Sequence, residues 1–228
     1  MAAGALAGPS LRAQAAGARV PPRTDSTARA DTTQRPLLPV RGGWDMSWTD
    51  RLTAPRRQVF DSPEIADGAA LHQARMFLQG YKDVYGLADA DLNAVLVFRH
   101  KGIPMVLRDE IWARYDFIGK KITRLKDPTT GKDAARNPFL RPDPADKHSL
   151  VWSDGGLDTL IARGVIVLAC NMALMGFAGI IAQRAKRPVD DVRQELKESL
   201  VPGVTLMPSG IFAVCRAEEA GCHFLQAT

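Results

Sequence analysis

Two short runs constrain this chain most, 93-NAVLVF-98 and 165-VIVLA-169. Each has strand length and little polar alternation, which predicts a strand covered on both faces inside a parallel sheet. Weaker strand signals lie at 57–60, 203–207 and 222–226. Helical patterns separate them. After Pro63, the residues Ala70, Ala74, Phe77, Leu78, Tyr81 and Val84 recur at three- and four-residue spacings, and Gly86 closes that helix. Further helices are expected over about 104–115, around Leu157, Leu160 and Ile161, from about Met172 with Leu174, Phe177, Ala178 and Ile181 inward, over 189–200 and over 210–220. Five strands alternating with helices specify an α/β fold, a three-layer α/β/α sandwich with a mostly parallel five-stranded sheet.

Right-handed crossovers bring every strand-to-helix junction to one edge of such a sheet. That edge collects Asp61-Ser62, Arg99-His100-Lys101, Cys170-Asn171 and Met207-Pro208-Ser209. The order of elements is interrupted once. Residues 116–150 hold a basic amphipathic piece, 118-IGKKITRLK-126, and then a proline-rich stretch without a period, so they are expected to form an insertion. A lid, a subunit contact and a solvated loop are the readings open for it.

At 228 residues the chain accommodates a single domain and a leader. The formal charge of +5 is confined to residues 1–57, which carry nine arginines against four aspartates, while the rest holds 21 basic and 21 acidic residues. A basic nucleic-acid-binding domain is therefore not expected, and no apolar run is long enough for a membrane span. Residues 1–42 are rich in Ala, Gly, Pro, Ser, Thr and Arg and are expected to be a disordered leader, with one domain over 43–228. The first 18 residues resemble the later part of an export signal with an A-x-A site at Ala13-Gln14-Ala15, but no basic residue precedes Arg12. A periplasmic or otherwise exported protein and a cytoplasmic one with an alanine-rich tail are both open.

Among chemically capable residues, Cys170 stands first. It ends a buried strand and precedes a helix, whose N–H groups favour a thiolate. His100 follows the preceding strand and is the candidate partner of that thiol. Arg99 and Lys101 would add positive field or attract an anionic ligand, and Asn171, Ser209 and Gly210 complete the candidate pocket. The alternative is an inert Cys170 in the core. Cys215 and Cys222 are expected to pack in the core. No metal-ligand spacing, nucleotide-binding glycine motif or serine-nucleophile elbow occurs, so no metal and no cofactor are expected. A metal- or haem-linked redox accessory is the least favoured reading.

The blocks 164-GVIVLACNMAL-174 and 201-VPGVTLMPSGIFAVCRAEEAGCHFL-225, with His100, Gly102 and Pro104 after the earlier strand, resemble the DsrE/DsrF-like superfamily of sulfur-oxidation-related proteins over about 57–226. The resemblance implies a DsrE-like domain, frequent homo-oligomers, and a cysteine, here Cys170, that carries sulfur as a persulfide in some members. The long insertion departs from the smaller members. Two function classes follow: a thiol protein with Cys170 as carrier and His100 tuning it, or a non-catalytic periplasmic small-molecule binding or oligomeric accessory protein using the same sheet edge. Partners expected are a second copy of the chain, through Phe117, Ile122, Phe139 and Leu140 of the insertion, and a small sulfur species or anion.

Overall fold

The structure is a computed structural model that describes residues 39–146 and 149–228. The leader expectation for residues 1–38, the export signal within it, and any role for His148 lie outside the described residues. Residues 39–43 are exposed and carry no helix or strand.

The sheet contains β1 (Arg56–Ser62), β2 (Leu92–Phe98), β3 (Ile166–Cys170), β4 (Val204–Met207) and β5 (His223–Gln226). Their order is β4-β3-β2-β1-β5 and all four pairings are parallel. The helices are α1 (Ala69–Tyr85), α2 (Asp109–Arg114), α3 (Leu157–Ala162), α4 (Asn171–Ala185), α5 (Val189–Glu198) and α6 (Gly210–Glu219). A three-layer α/β/α sandwich results. Alternating strand residues feed two cores. Phe60, Leu96, Phe98 and Val167 pack with α1, α3, α4 and α5. Val59, Val95, Val97, Ile166 and Leu168 face α6 and Trp48, which lies in a 3-10 turn over Ser47–Arg51. The continuous apolar character of β2 and β3 is thus the direct result of burial on both sides.

Three expectations need correction. First, β1 does not end at Phe60. It runs through Asp61 and Ser62, both buried, because its register with β2 continues to Ser62↔Phe98 and Arg99 neutralises Asp61. Second, the helix expected over 104–115 is divided into a 3-10 turn, His100–Val106, and the short α2. Pro104 has no N–H to give to a helix ladder, and an isolated bridge from Leu107 to Leu200 pulls the chain straight between the two pieces.

Third, the 116–150 insertion is neither a projecting arm nor simply solvated. Phe139 and Leu140 are buried in this chain's own core, and Ile122 packs against it, so they do not form a free contact surface. Buried Asn137 holds the loop down: its Nδ2 donates to the carbonyls of Met105 and Leu107, at 2.7 and 2.8 Å, and its Oδ1 accepts the Phe139 N–H. Arg136 bridges Asp127 and Asp146. Such side-chain-to-backbone bonds leave no hydrophobic period for a sequence reading to find.

The bridge makes the loop acid-sensitive. Burial would raise the Asp127 carboxyl, but the Thr130 N–H and the Arg136 guanidinium outweigh it and hold it below the ordinary carboxylate range. Asp146 is lowered too: burial opposes, and the Thr129 hydroxyl, the Asp143 N–H and Arg136 prevail. A depressed folded-state pKa gives stability that is present above the unfolded value and is lost as pH falls through the folded one. Urea midpoints will therefore drop more between about pH 5 and pH 3 for the natural chain than for Arg136→Gln, which starts lower and varies less. Parallel profiles would show that the bridge contributes nothing.

Candidate functional site

The C-terminal ends of the strands gather the expected residues, but divide them between two neighbouring places. The first is an ion pair at the edge of the sheet. Arg99 Nε and Nη2 donate to the two carboxylate oxygens of Asp61, each at 2.7 Å, and Asp61 is 4% exposed. The hydrogen bonds that Arg99 donates to Asp61 hold its guanidinium above the ordinary pKa despite burial, and Cys170 lies near enough to interact with that charge. Gly210 makes room for the Arg99 side chain: a Cβ there would stand 2.6 Å from the Arg99 Cβ. Ser209 caps α6, its Oγ accepting the Phe212 N–H at 3.1 Å. Arg99, Ser209 and Gly210 therefore build the sheet edge and do not line the cavity described next.

Cys170 is the last residue of β3 and the N-cap of α4. Its sulfur accepts the Ala173 N–H at 3.3 Å, and the residue is 6% exposed. Asn171 donates to the Met175 sulfur, while its own Oδ1 is shielded without a partner. Among the described residues no hydrogen bond joins His100 to Cys170. His100 instead extends to the second place.

That second place is a half-open groove of about 510 Å³ beside α4. Its floor is the outer face of α4, from Met172 and Ala173 through Gly176 to Ile180. One wall is the 3-10 turn with His100, Lys101, Ile103 and Pro104; the others are the loop after β1 at 64–66 and Ile122-Thr123. The last two belong to one π-helical turn, Ile118–Thr123. Most of this lining is apolar. At its mouth, Glu64 Oε1 lies 3.3 Å from Lys101 Nζ and 3.7 Å from His100 Nδ1. Lys120, Lys121 and Arg124 are exposed on or directly after the π turn but do not line the groove.

The backbone is unusual at the same place. Ala66, Asp67, His100 and Arg124 all have left-handed φ, between 41° and 58°, though none is glycine. Each belongs to or directly follows a segment that walls the groove. Such strain, like a π turn, persists only where surrounding contacts over-determine it, and it concentrates at ligand-binding sites.

Of the residues expected from sequence, the structure places His100 and Lys101 in the groove and leaves Cys170 just behind it. Glu64, Ile65, Ile122 and the outer face of α4 were missed. A signal existed for the last: Met172, Gly176 and Ile180 repeat at four-residue spacing beside the inward stripe, so α4 is apolar on two faces. No group of three or more potential metal ligands gathers among the described residues, and no helix there is long and apolar enough to cross a membrane. No family model matches the sequence, and a search of curated proteins finds no significant relative.

The cysteines need one further correction. Cys215 does not pack in the core; it is exposed, because Gly210, Ala213, Val214 and Ala217 form the inward face of α6 and position 215 falls opposite. Cys222 is buried, and desolvation pushes its thiol up to about 11, with Arg57 opposing weakly. In native protein, Cys215 will be alkylated first and Cys222 last. Relative to an ordinary thiol near 9, its thiolate fraction at pH 8 is lower by about 100-fold. Peptide mass mapping after timed iodoacetamide labelling checks the order, and early labelling of Cys222 would contradict its burial.

Proposed function

We propose that this protein binds a small amphipathic anion, with the apolar body of the ligand along α4 and its acidic head at Lys101 and His100. The observation that carries this reading is the groove itself: an apolar floor and walls, a volume in the range of small-molecule sites, and charge confined to the mouth. Glu64 acts as the resident counter-charge, which an incoming acid displaces from Lys101. Open α/β sheets bind ligands outside the carboxyl ends of their strands, the side on which this groove lies. A periplasmic setting belongs to the same proposal and rests on the first 18 residues alone.

Calorimetric titration with dodecanoate, dodecanol and dodecyltrimethylammonium tests the chemistry. Binding should be strongest for the acid, weaker for the alcohol and weakest for the cation, and the preference should shrink with added salt. Equal affinity for acid and cation would contradict the assignment of the head group.

A second reading is favoured by one specific observation, the Ala173 N–H directed at the Cys170 sulfur beside the Arg99 charge. The helix N–H and the neighbouring cation are surroundings suited to a sulfur carrier, and they support a persulfide carried on Cys170. With the exposed Cys215 replaced by Ser, treatment with inorganic polysulfide followed by cyanolysis would then release thiocyanate from the protein that keeps Cys170 and not from the one that also carries Cys170→Ser. Equal release from both would remove this reading without touching the groove.

A further inference from the structure

We infer that the β5 edge is the seat of a symmetric dimer, in which two copies pair their β5 strands antiparallel about Phe224 and join two five-stranded sheets into one. The inference starts from backbone groups. The Ala227 N–H donates to the Asp61 carbonyl, and the β1–β5 register matches Phe60 with Leu225. In a parallel pair alternate residues bond to the same neighbour, so residues 223, 225 and 227 turn their main-chain groups towards β1. Phe224 and Gln226 turn theirs outward, and all four residues of β5 are exposed.

Sheets normally protect such an edge with Lys, Pro, a bulge or a covering segment. At the opposite edge, residues 43–45 and residues 204–206 of β4 line a shallow open pocket. Among the described residues no further strand pairs with β5 on its outer side, and its protection is its shortness, four residues. Residues 220–228 contain no Asp, Glu, Lys, Arg or Pro. Two large apolar side chains stand open instead, Phe224 on the α6 face, matched with Val59, and Leu225 on the α1 face, matched with Phe60. The second face continues onto α1. Phe77 of α1 packs edge-on against Phe60, the β1 residue matched with Leu225, and Val84, seven residues on, lies along the same side of the helix and is exposed.

Symmetry identifies the occupant. Antiparallel pairing about a two-fold axis normal to the sheet keeps like faces together, so a strand residue must oppose itself at the axis. Phe224 fits that position: its N–H and C=O both point outward, giving a reciprocal hydrogen-bonded pair, and its ring meets its own copy on the α6 face. His223 then opposes Leu225 on the other face. The segment is free of formal charge apart from the titratable His223, so no fixed like charges meet across the axis.

Sedimentation equilibrium tests this directly. The natural chain should dimerise at concentrations up to about 100 μM, the range of weak specific interfaces. Phe224→Lys and Phe224→Glu, changes at an exposed site, should each be monomeric, and an equimolar mixture should recover a heterodimer because the two charges then meet at the axis. Circular dichroism of each variant confirms that it is folded. A natural chain that stays monomeric leaves the edge to a foreign strand or to water and overturns the inference. So does a dimer that survives in Phe224→Lys alone, or a mixture that stays monomeric.

Discussion

Replacing Arg99 with Met will destabilise the domain by about 3–5 kcal/mol, the cost of leaving a buried carboxylate without its cation. The reason is local. Asp61 is 4% exposed and receives both of its short side-chain bonds from Arg99. Methionine fills much of the same volume, so loss of packing is a small part of the effect. The paired change Asp61→Asn with Arg99→Met removes the stranded charge and should recover most of the loss, since neutral replacement of a buried ion pair is often tolerated. Urea unfolding of the two single variants and the double variant measures this. A mild Arg99→Met effect, under about 1 kcal/mol, would mean that Asp61 finds water or another donor and is not held by Arg99.

Gly176→Leu will weaken ligand binding while leaving the protein at least as stable. Gly176 lies in the interior of α4 and lines the groove, and a Cβ built on it meets nothing within 4 Å. A leucine side chain can therefore extend into the groove and occupy the place of the ligand's apolar body. Helix propensity works in the opposite direction from binding, since leucine exceeds glycine by roughly 0.5–1 kcal/mol in a helix interior. Affinity for dodecanoate should fall by at least about tenfold, equivalent to about 1.4 kcal/mol. Gly179 is the control: it is equally uncrowded but does not line the groove, so Gly179→Leu should stabilise the helix and keep binding. Similar affinities in the natural chain and Gly176→Leu would place the ligand elsewhere.

The sheet was legible in sequence because its central strands are buried on both sides and therefore lack polar interruption. The same rule hid the end of β1. Asp61 and Ser62 look like a turn, and only the pairing of Asp61 with Arg99, 38 residues away, makes their burial affordable. The insertion was illegible for a different reason. Its order comes from Asn137, Arg136 and two aspartates bonding to particular main-chain and side-chain groups, an arrangement that leaves no period.

At the site, the strand-to-helix rule found the correct edge and the residues His100 and Lys101. It overvalued proximity in sequence to strand ends. Arg99 was drawn into an ion pair, Ser209 into a helix cap, and Cys170 behind the wall of the groove. The groove depends on a second apolar face of α4 meeting a π turn from the insertion, and no local motif encodes that meeting.

Hydrogen–deuterium exchange with and without dodecanoate, kept below its micellar range, tests the central claim most directly. A ligand lying along α4 with its head at Lys101 should slow exchange in the 3-10 turn at 100–106, the π turn at 118–123 and the first turns of α4, and the effect should shrink in Gly176→Leu. Protection confined to other segments, or the same protection in Gly176→Leu, would contradict the assignment of this groove as the binding site.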